Sequence, residues 1–229
     1  IREFILSAFL QGAYDSVSNI MTTHLPTLGL GTAPTGFPSV SPYGTGETIT
    51  SIPANVTDWI KVEIVDPTNP STIYAQASGF VRNDGTVIST TGGTTIQMSG
   101  ITQPTGSIRI KHRNHLMTRT NPITWTTNGS ANEFDFTTST NDANVFTITT
   151  FPVDIVFPTV NGNQPMKKYV NNKRALWSGD INQDGIIRYN VFPDDRSPIL
   201  SAIGGVNPLA FITGYYIEDI TLDKKVNYN

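Results

Sequence analysis

The sequence predicts an all-β fold in which an antiparallel β-sandwich spans residues 1–158. A linker over 159–175 leads to a small C-terminal module over 176–229 that contains a short helix. Three observations favour this organisation. Short strand-like segments alternate with turn residues, the chain is rich in Thr, Asn, Gly, Ser and Pro, and a loop near the C-terminus is dense in Asp and Asn.

The strand-like segments recur roughly every ten residues, a spacing typical of immunoglobulin-like or jelly-roll sandwiches. Turn residues separate them, and Asn83-Asp84-Gly85 is a strong hairpin signal because primed turns need positive φ. The predicted strands after residue 70 are Ile73 to Phe80, Thr86 to Ser89, Thr95 to Met98, Ser107 to Lys111, Pro122 to Trp125, Glu133 to Thr137, Val145 to Thr149 and Val153 to Phe157.

The first predicted strand, Glu3 to Leu10, is apolar enough to be buried on both faces, and its edge is a candidate for pairing with a neighbouring copy. The long segment from Ala13 to Ser51 is rich in Pro and Gly, and we expect an irregular connection with one helical turn near Asn19 to His24. The start at Ile1 and the end at Asn229 favour a processed chain or a fragment of a longer protein.

Asp58 to Val65 alternates, and Ile60, Val62 and Ile64 share one face. Trp59 is out of register with them. The pattern therefore predicts a strand with one buried face and the tryptophan at its edge.

Composition excludes several functions. Only 14% of residues are charged and the net charge is −3, which argues against a nucleic-acid partner. There is no cysteine for disulfides or thiol chemistry, and no apolar run is long enough to span a membrane. This composition is common among extracellular β-proteins.

Oxygen-bearing side chains in the C-terminal module have the spacing of a calcium loop. Asp180, Asn182 and Asp184 occupy positions 1, 3 and 5 of an EF-hand-type loop, with Gly185 at the sharp turn. Ile186 at position 7 would offer its carbonyl, and Ile187 would point into the core. Position 12 is Val191, so the closing carboxylate is displaced to Asp195 or, as the alternative, Asp194.

The pattern returns 39 residues later, because Asp219, Thr221 and Asp223 repeat positions 1, 3 and 5. Lys224 stands where the first loop has glycine, so these three residues form a second, incomplete candidate metal site. Between the loops, Ser197 to Ile203 reads as a short helix stopped by Gly204 and Gly205.

These features resemble dockerin-type calcium repeats, and more closely a variant near the end of large secreted, hemagglutinin-like surface proteins of Bacteroidetes-type bacteria. The resemblance rests on the phrase His112-Arg-Asn-His-Leu, on Leu176 to Tyr189, and on Asp195-Arg-Ser-Pro-Ile-Leu. It implies a β-rich domain followed by calcium repeats, an extracellular or cell-surface location, and Asp195 as the displaced carboxylate. The second loop departs from the pattern.

Other chemistry is weaker. His112 and His115 lie three residues apart on an expected strand and should point to opposite faces, which is poor for zinc. Asp58, Glu63, Glu133 and Asp135 show no context that marks a hydrolytic pair, and no serine nucleophile motif is present. The aromatic residues available as glycan platforms are Trp59, Trp125, Tyr43 and Tyr74, although a core role fits them better.

The sequence thus predicts a non-enzymatic, calcium-binding structural or adhesion module of a secreted, cell-surface or filament-forming bacterial protein. Ca²⁺ is the expected ion, and its binding would rigidify the C-terminal loop. The expected partners are other copies or domains of the same surface assembly, and a glycan is a further candidate. The alternative is a carbohydrate-binding module attached to a secreted enzyme.

Overall fold

The computed structural model describes residues 1–126, 130–138, 145–147, 166–188, 193–205, 207 and 209–227, with the backbone alone at 145–147. The predicted strand Val153 to Phe157, together with Tyr189 and Val191, lies outside these residues.

Strands dominate the chain, which is 40% strand and 6% helix, and the prediction of an all-β protein is confirmed. The strands before residue 100 are β1 Arg2–Ser7, β2 Tyr14–Asp15, β3 Ile20–Met21, β4 Leu30–Gly31, β5 Phe37–Pro38, β6 Val56–Val65, β7 Ile73–Arg82, β8 Val87–Ile88 and β9 Ile96–Met98. The later ones are β10 Thr105–His112, β11 His115–Thr120, β12 Ile123–Thr124, β13 Asn132–Asp135, β14 Val145–Thr147, β15 Lys167–Lys168, β16 Arg174–Ala175, β17 Phe211–Thr213 and β18 Lys225–Asn227.

The largest sheet has seven strands in the order β14-β11-β10-β6-β7-β8, and β12 also pairs with β10. The long strands β6 and β7 pair antiparallel at its centre. The hairpin predicted at Asn83-Asp84-Gly85 is confirmed, because Gly85 has φ +90° and donates to the carbonyl of Arg82, and β7 pairs with β8.

Strand β6 is buried on both faces, so the prediction of a one-sided strand with an edge tryptophan is wrong. Trp59 is fully buried, and its indole N–H donates to the carbonyl of Pro38 at 2.9 Å. The reason is that the long segment after β3 folds over this face and brings Phe37 within 6.5 Å of the Trp59 ring.

Strand β11 was missed, because four of its six residues are polar. Thr118, Arg119 and Thr120 are nevertheless buried. Two of them find partners across the sheet: the Thr120 hydroxyl accepts from the N–H of Ile108 at 3.0 Å, and Arg119 Nη1 donates to the Ser107 hydroxyl at 3.5 Å. Satisfied hydrogen bonds allow a polar strand to be buried, and hydrophobic alternation does not detect it.

Strand β1 lies in the middle of a second sheet, with β13 parallel on one side and β9 antiparallel on the other. Both edges of β1 are therefore paired within the chain, which leaves this strand no free edge for the candidate pairing with a neighbouring copy. Phe4 and Leu6 are buried while Glu3, Ile5 and Ser7 are half-buried, so the strand buries one face rather than two.

The helical turn predicted near Asn19 to His24 is also wrong. Residues Ile20–Met21 form β3 and pair with β2, and the helical turn is a 3-10 helix at Leu25–Leu28, which begins just after this range. Pro26 at its start explains the shift, because proline favours the first turn of a helix.

The C-terminal residues pack directly on the sheets. Leu176 bridges Leu10, and its N–H donates to the carbonyl of Phe9 at 2.8 Å. The N–H of Leu116 in β11 donates to the carbonyl of Trp177 at 2.8 Å. Strands β15 and β16 lie within the predicted linker over 159–175, whose first seven residues are not described.

The short helix α1 spans Arg196–Ala202, which confirms the predicted helix, and Gly204 and Gly205 follow it with φ +83° and +120°. Among the described residues, no helix combines the length and apolar character needed to cross a membrane.

Candidate metal-binding site

The first Asx loop runs from Asp180 to Ile186 and is closed by its own side chains. The Asp180 carboxylate accepts the N–H of Gly185, with its nearer oxygen at 3.2 Å. The side chain of Asn182 accepts the N–H of Asp184 at 2.9 Å, and Asp184 Oδ1 accepts the N–H of Ile186 at 2.9 Å. Positive φ values at positions 4 and 6, 57° at Gln183 and 81° at Gly185, turn the chain.

The second loop, from Asp219 to Lys225, has the same backbone design. Asp219 Oδ2 accepts the N–H of Lys224 at 2.8 Å, and Asp223 Oδ1 accepts the N–H of Lys225 at 2.9 Å. Positive φ recurs at positions 4 and 6, with 57° at Leu222 and 74° at Lys224. The two loops therefore share a backbone conformation as well as a sequence pattern, although Lys224 adopts positive φ less easily than a glycine would.

Lys224 does not place its ammonium group among the loop carboxylates. Its Nζ donates to the hydroxyl of Thr27 at 2.8 Å, beside the 3-10 helix. Its positive charge is therefore directed out of the loop.

The two candidates for the closing carboxylate have different roles. Asp195 is buried, and its oxygens accept the N–H groups of Ile181 at 2.8 Å and Arg188 at 2.7 Å. Asp194 instead accepts the N–H and hydroxyl of Ser197 in the first turn of α1, at 2.6 and 2.9 Å. Asp195 is thus the carboxylate that lies with Asp180.

Electrostatic repulsion concentrates at Asp180, which is 1% exposed. Burial, followed by the nearby carboxylates of Asp195 and Asp184, raises the pKa of Asp180 to about 7. Asp184 is neutralised in part by Arg188, four residues on. Burial also raises the pKa of Asp219 to about 6, against the opposing charge of Arg113.

The remaining predicted ligands are Ile186 and Thr221, and both lie within their loops. Ile186 follows Asp184 in the loop, and the Thr221 hydroxyl donates to Asp219 Oδ1 at 3.2 Å. Ile187 is half-buried rather than in the core, and lines a pocket with Ile181, Ile199 and Ile220. Within the described part of the chain, no three His, Asp or Glu side chains form a group that could hold a metal ion.

A buried hairpin turn between β10 and β11 braces both loops. The carbonyl of Asn114 accepts the N–H of Gly179, just before the first loop, at 2.8 Å. Its side-chain amide donates to the carbonyls of Ile217 and Asp219 at 2.8 and 2.7 Å. The side chain of Gln183 donates to the carbonyl of Arg113 at 2.7 Å.

Under this turn lies an ionic cluster that sequence reasoning missed. Asp58 is fully buried and accepts from His112 Nε2 at 3.0 Å, Arg113 Nε at 2.9 Å and the Tyr215 hydroxyl at 2.7 Å. Burial opposes ionisation of Asp58, but Arg113 and His112 prevail and lower its pKa. The only signal was the phrase His112-Arg-Asn-His itself.

The expectation that His112 and His115 point to opposite faces is wrong. Their Nδ1 atoms lie 2.9 Å apart, because the two residues form a cross-strand pair on either side of the turn, where β10 shifts register. Gly12 N–H points at His115 Nε2 at 3.4 Å, and Asn114 Oδ1 lies 2.8 Å from its Nδ1. Each ring nitrogen of His112 and His115 thus has a partner within the protein.

The other candidates are scattered. Glu63 pairs with Lys61 and Arg109, Asp135 accepts from Thr137, and Glu133 is exposed. The indoles of Trp59 and Trp125 are 0% and 3% exposed, so neither offers a platform to a glycan. Tyr43 and Tyr74 are half-buried.

Comparison of the chain with family models, with curated proteins and with solved structures finds no match.

Proposed function

We propose that the chain is a non-enzymatic, calcium-binding structural or adhesion module of an extracellular, cell-surface or filament-forming protein. The observation that carries the proposal is the shared geometry of the two Asx loops. Each puts a buried Asp at position 1, positive φ at positions 4 and 6, and a carboxylate at position 5.

The chemistry of the donor set favours a hard cation. Asp180, Asn182, Asp184 and Asp195 offer only oxygen, and Ca²⁺ takes six to eight oxygen ligands. Burial of Asp180, followed by repulsion from the nearby charges of Asp195 and Asp184, disfavours its ionised form and raises its pKa to about 7. A bound cation would remove that repulsion, so its binding free energy would add to folding stability.

We place one ion at the first loop, where Asp195 supplies a further carboxylate. A second ion at Asp219, Thr221 and Asp223 stays a prediction, favoured by the matching backbone and by the outward direction of Lys224. We further propose that the two sheets form the faces of a sandwich. Phe4 of the smaller sheet contacts Trp125, which follows β12 of the larger one, with ring centroids 5.6 Å apart.

Location and partners follow from the same proposal. A site of this kind fills where free calcium is abundant, which is outside the cell. The resemblance to secreted surface proteins, carried by Leu176 to Tyr189 and the turn at His112, supports other domains of a surface assembly as partners.

A thermal melt with excess calcium and then with chelator tests the proposal. At a calcium concentration about 100 times the dissociation constant, we expect roughly 2.7 kcal/mol of stabilisation. For a chain of this size that is a rise in Tm of about 5–10 °C. Asp180→Asn should abolish the rise. Asp84→Asn, in the exposed hairpin turn, is the matched control and should keep it.

Calorimetric titration then counts the ions. Loss of all binding in Asp180→Asn with full binding in Asp219→Asn means one ion at the first loop. If wild type binds two calcium ions and each variant binds one, both loops bind calcium. A wild-type Tm that calcium leaves unchanged would refute the calcium proposal.

A further inference from the structure

A pocket of about 420 Å³ lies beside the two loops, at a place that the calcium proposal does not use. Pro42 and Tyr43 form one side, and Lys61 of β6 and Lys111 of β10 form another. Gln183 of the first loop, Arg113 and Tyr215 also line it. Small-molecule sites commonly enclose about 300–1,000 Å³.

The lining carries positive charge without an acidic residue. Its three cations are Lys61, Lys111 and Arg113. Lys61 pairs with Glu63 at 2.7 Å, and Arg113 pairs with Asp58 at 2.9 Å. For Lys111, no carboxylate of the described residues lies within ion-pairing distance.

Strand register adds to this imbalance. Lys61 and Lys111 are direct cross-strand partners in the antiparallel pair of β6 and β10. Like charges directly opposite each other are destabilising. Burial lowers the pKa of Lys111, and the nearby Arg109 and Lys61 add to this effect, while Glu63 and Asp180 oppose it. An anion in the pocket would relieve this repulsion and hold Lys111 charged.

Besides these cations, the pocket is lined by two aromatic residues, Tyr43 and Tyr215. The Tyr43 hydroxyl donates to the carbonyl of Trp59 at 3.2 Å, and the Tyr215 hydroxyl donates to Asp58. The guanidinium of Arg113 stacks on the Tyr215 ring at 4.4 Å. Both hydroxyls are thus used inside the protein, and what the tyrosines add to the lining is ring surface.

We propose that this pocket binds a carboxylate-bearing ligand of about monosaccharide size, of the class of the hexuronic acids. The carboxylate would pair with Lys111 and Lys61, and the ring would lie against Tyr43 and Tyr215. Cations and aromatic carbon together suit such a ligand, because a charged group and a ring must be held at once. The proposal does not rest on calcium binding.

Isothermal titration of the full chain with glucuronate tests it, with neutral glucose as the matched ligand and sulfate as an anion without a ring. We expect glucuronate to bind, and glucose and sulfate to bind at least about tenfold more weakly, since each lacks one of the two recognised features. Lys111→Met should weaken glucuronate binding by a similar factor. Lys168→Met, at an exposed lysine of β15, should leave it unchanged.

Lys111→Gln provides a second neutral variant in case the methionine disturbs the sheet, and each variant's melt checks its folding. Absence of glucuronate binding overturns the proposal, and so does glucuronate binding that both Lys111 variants retain. Equal binding of sulfate overturns the saccharide class, and equal binding of glucose overturns the role of the carboxylate. The same titration in chelator separates this result from that of the calcium melt.

Discussion

The side-chain amide of Asn114 donates a hydrogen bond to the backbone carbonyl of Asp219 at 2.7 Å. These residues lie 105 positions apart. Through this bond, a turn of the large sheet holds the first residue of the second Asx loop, while the carbonyl of Asn114 holds Gly179 before the first loop. One buried turn therefore sets the position of both loops.

Asn114→Ala should lower the free energy of unfolding by about 2–4 kcal/mol, because it removes three hydrogen bonds and leaves the carbonyls of Ile217 and Asp219 without their donor. Urea denaturation measures the loss. Asn69→Ala, in an exposed turn where the side chain bonds only Ser71, is the control and should change stability by less than about 0.5 kcal/mol. Equal effects of the two variants would contradict the bracing role.

Asp195→Asn and Asp194→Asn form a matched pair of neighbours. We expect Asp195→Asn to abolish the calcium-dependent rise in Tm, since its buried carboxylate lies near that of Asp180. Asp194→Asn should keep the rise, because its carboxylate bonds Ser197 at the start of α1. Melts with calcium and with chelator check both variants. Loss of the calcium effect in Asp194→Asn alone would assign the closing role to that residue.

Gly12→Ala tests how tightly the C-terminal module is joined to the sheets. A Cβ at Gly12 would lie 1.8 Å from the carbonyl oxygen of Ile220 in the second loop, so the loop must move. We expect destabilisation of about 2–3 kcal/mol. At Gly93 the nearest atom is the Ser89 hydroxyl at 3.3 Å, and Gly93→Ala should be nearly neutral.

Denaturation of the two glycine variants gives the comparison. If Gly12→Ala leaves the free energy of unfolding unchanged, the C-terminal module is not packed tightly against the N-terminal segment. A destabilised Gly12→Ala would mean that the two parts fold as one cooperative unit.

The histidine pair predicts an acid-sensitive contribution to stability. Burial, then the charges of His112 and Arg113, holds the pKa of His115 well below its usual 6.5, and burial also lowers the pKa of His112 despite Asp58. As the pH falls below 6.5, these imidazoles therefore bind protons in the unfolded chain more readily than in the folded chain. This contribution is present above pH 6.5 and is lost as the pH falls, by up to about 1.4 kcal/mol per imidazole for each pH unit.

The measurement is the free energy of unfolding between about pH 7.5 and about pH 5.5, roughly one unit either side of the ordinary histidine pKa. Wild type should lose about 1 kcal/mol more than His115→Gln over this interval. His24→Gln, at an exposed histidine, should follow the wild-type curve. Parallel curves for wild type and His115→Gln would show that His115 is not a source of the pH dependence.

The sequence by itself determined the features that depend on neighbouring residues. Gly85 with Asn83 and Asp84 predicted a hairpin, because φ is a local property. Pro198 and Gly204 bounded the short helix for the same reason. The spacing of Asp180, Asn182 and Asp184 predicted a sharply turned loop, and in the structure these side chains bond backbone groups two to five residues on.

Only the tertiary structure decided what distant segments do to one another. Asp58, Arg113 and Tyr215 meet in one buried cluster, and no local pattern links strands so far apart in sequence. Trp59 is buried because Phe37 covers it, and His115 faces His112 because a turn and a register shift bring their rings together. Burial and charge pairing are collective, since each depends on how the whole chain fills space.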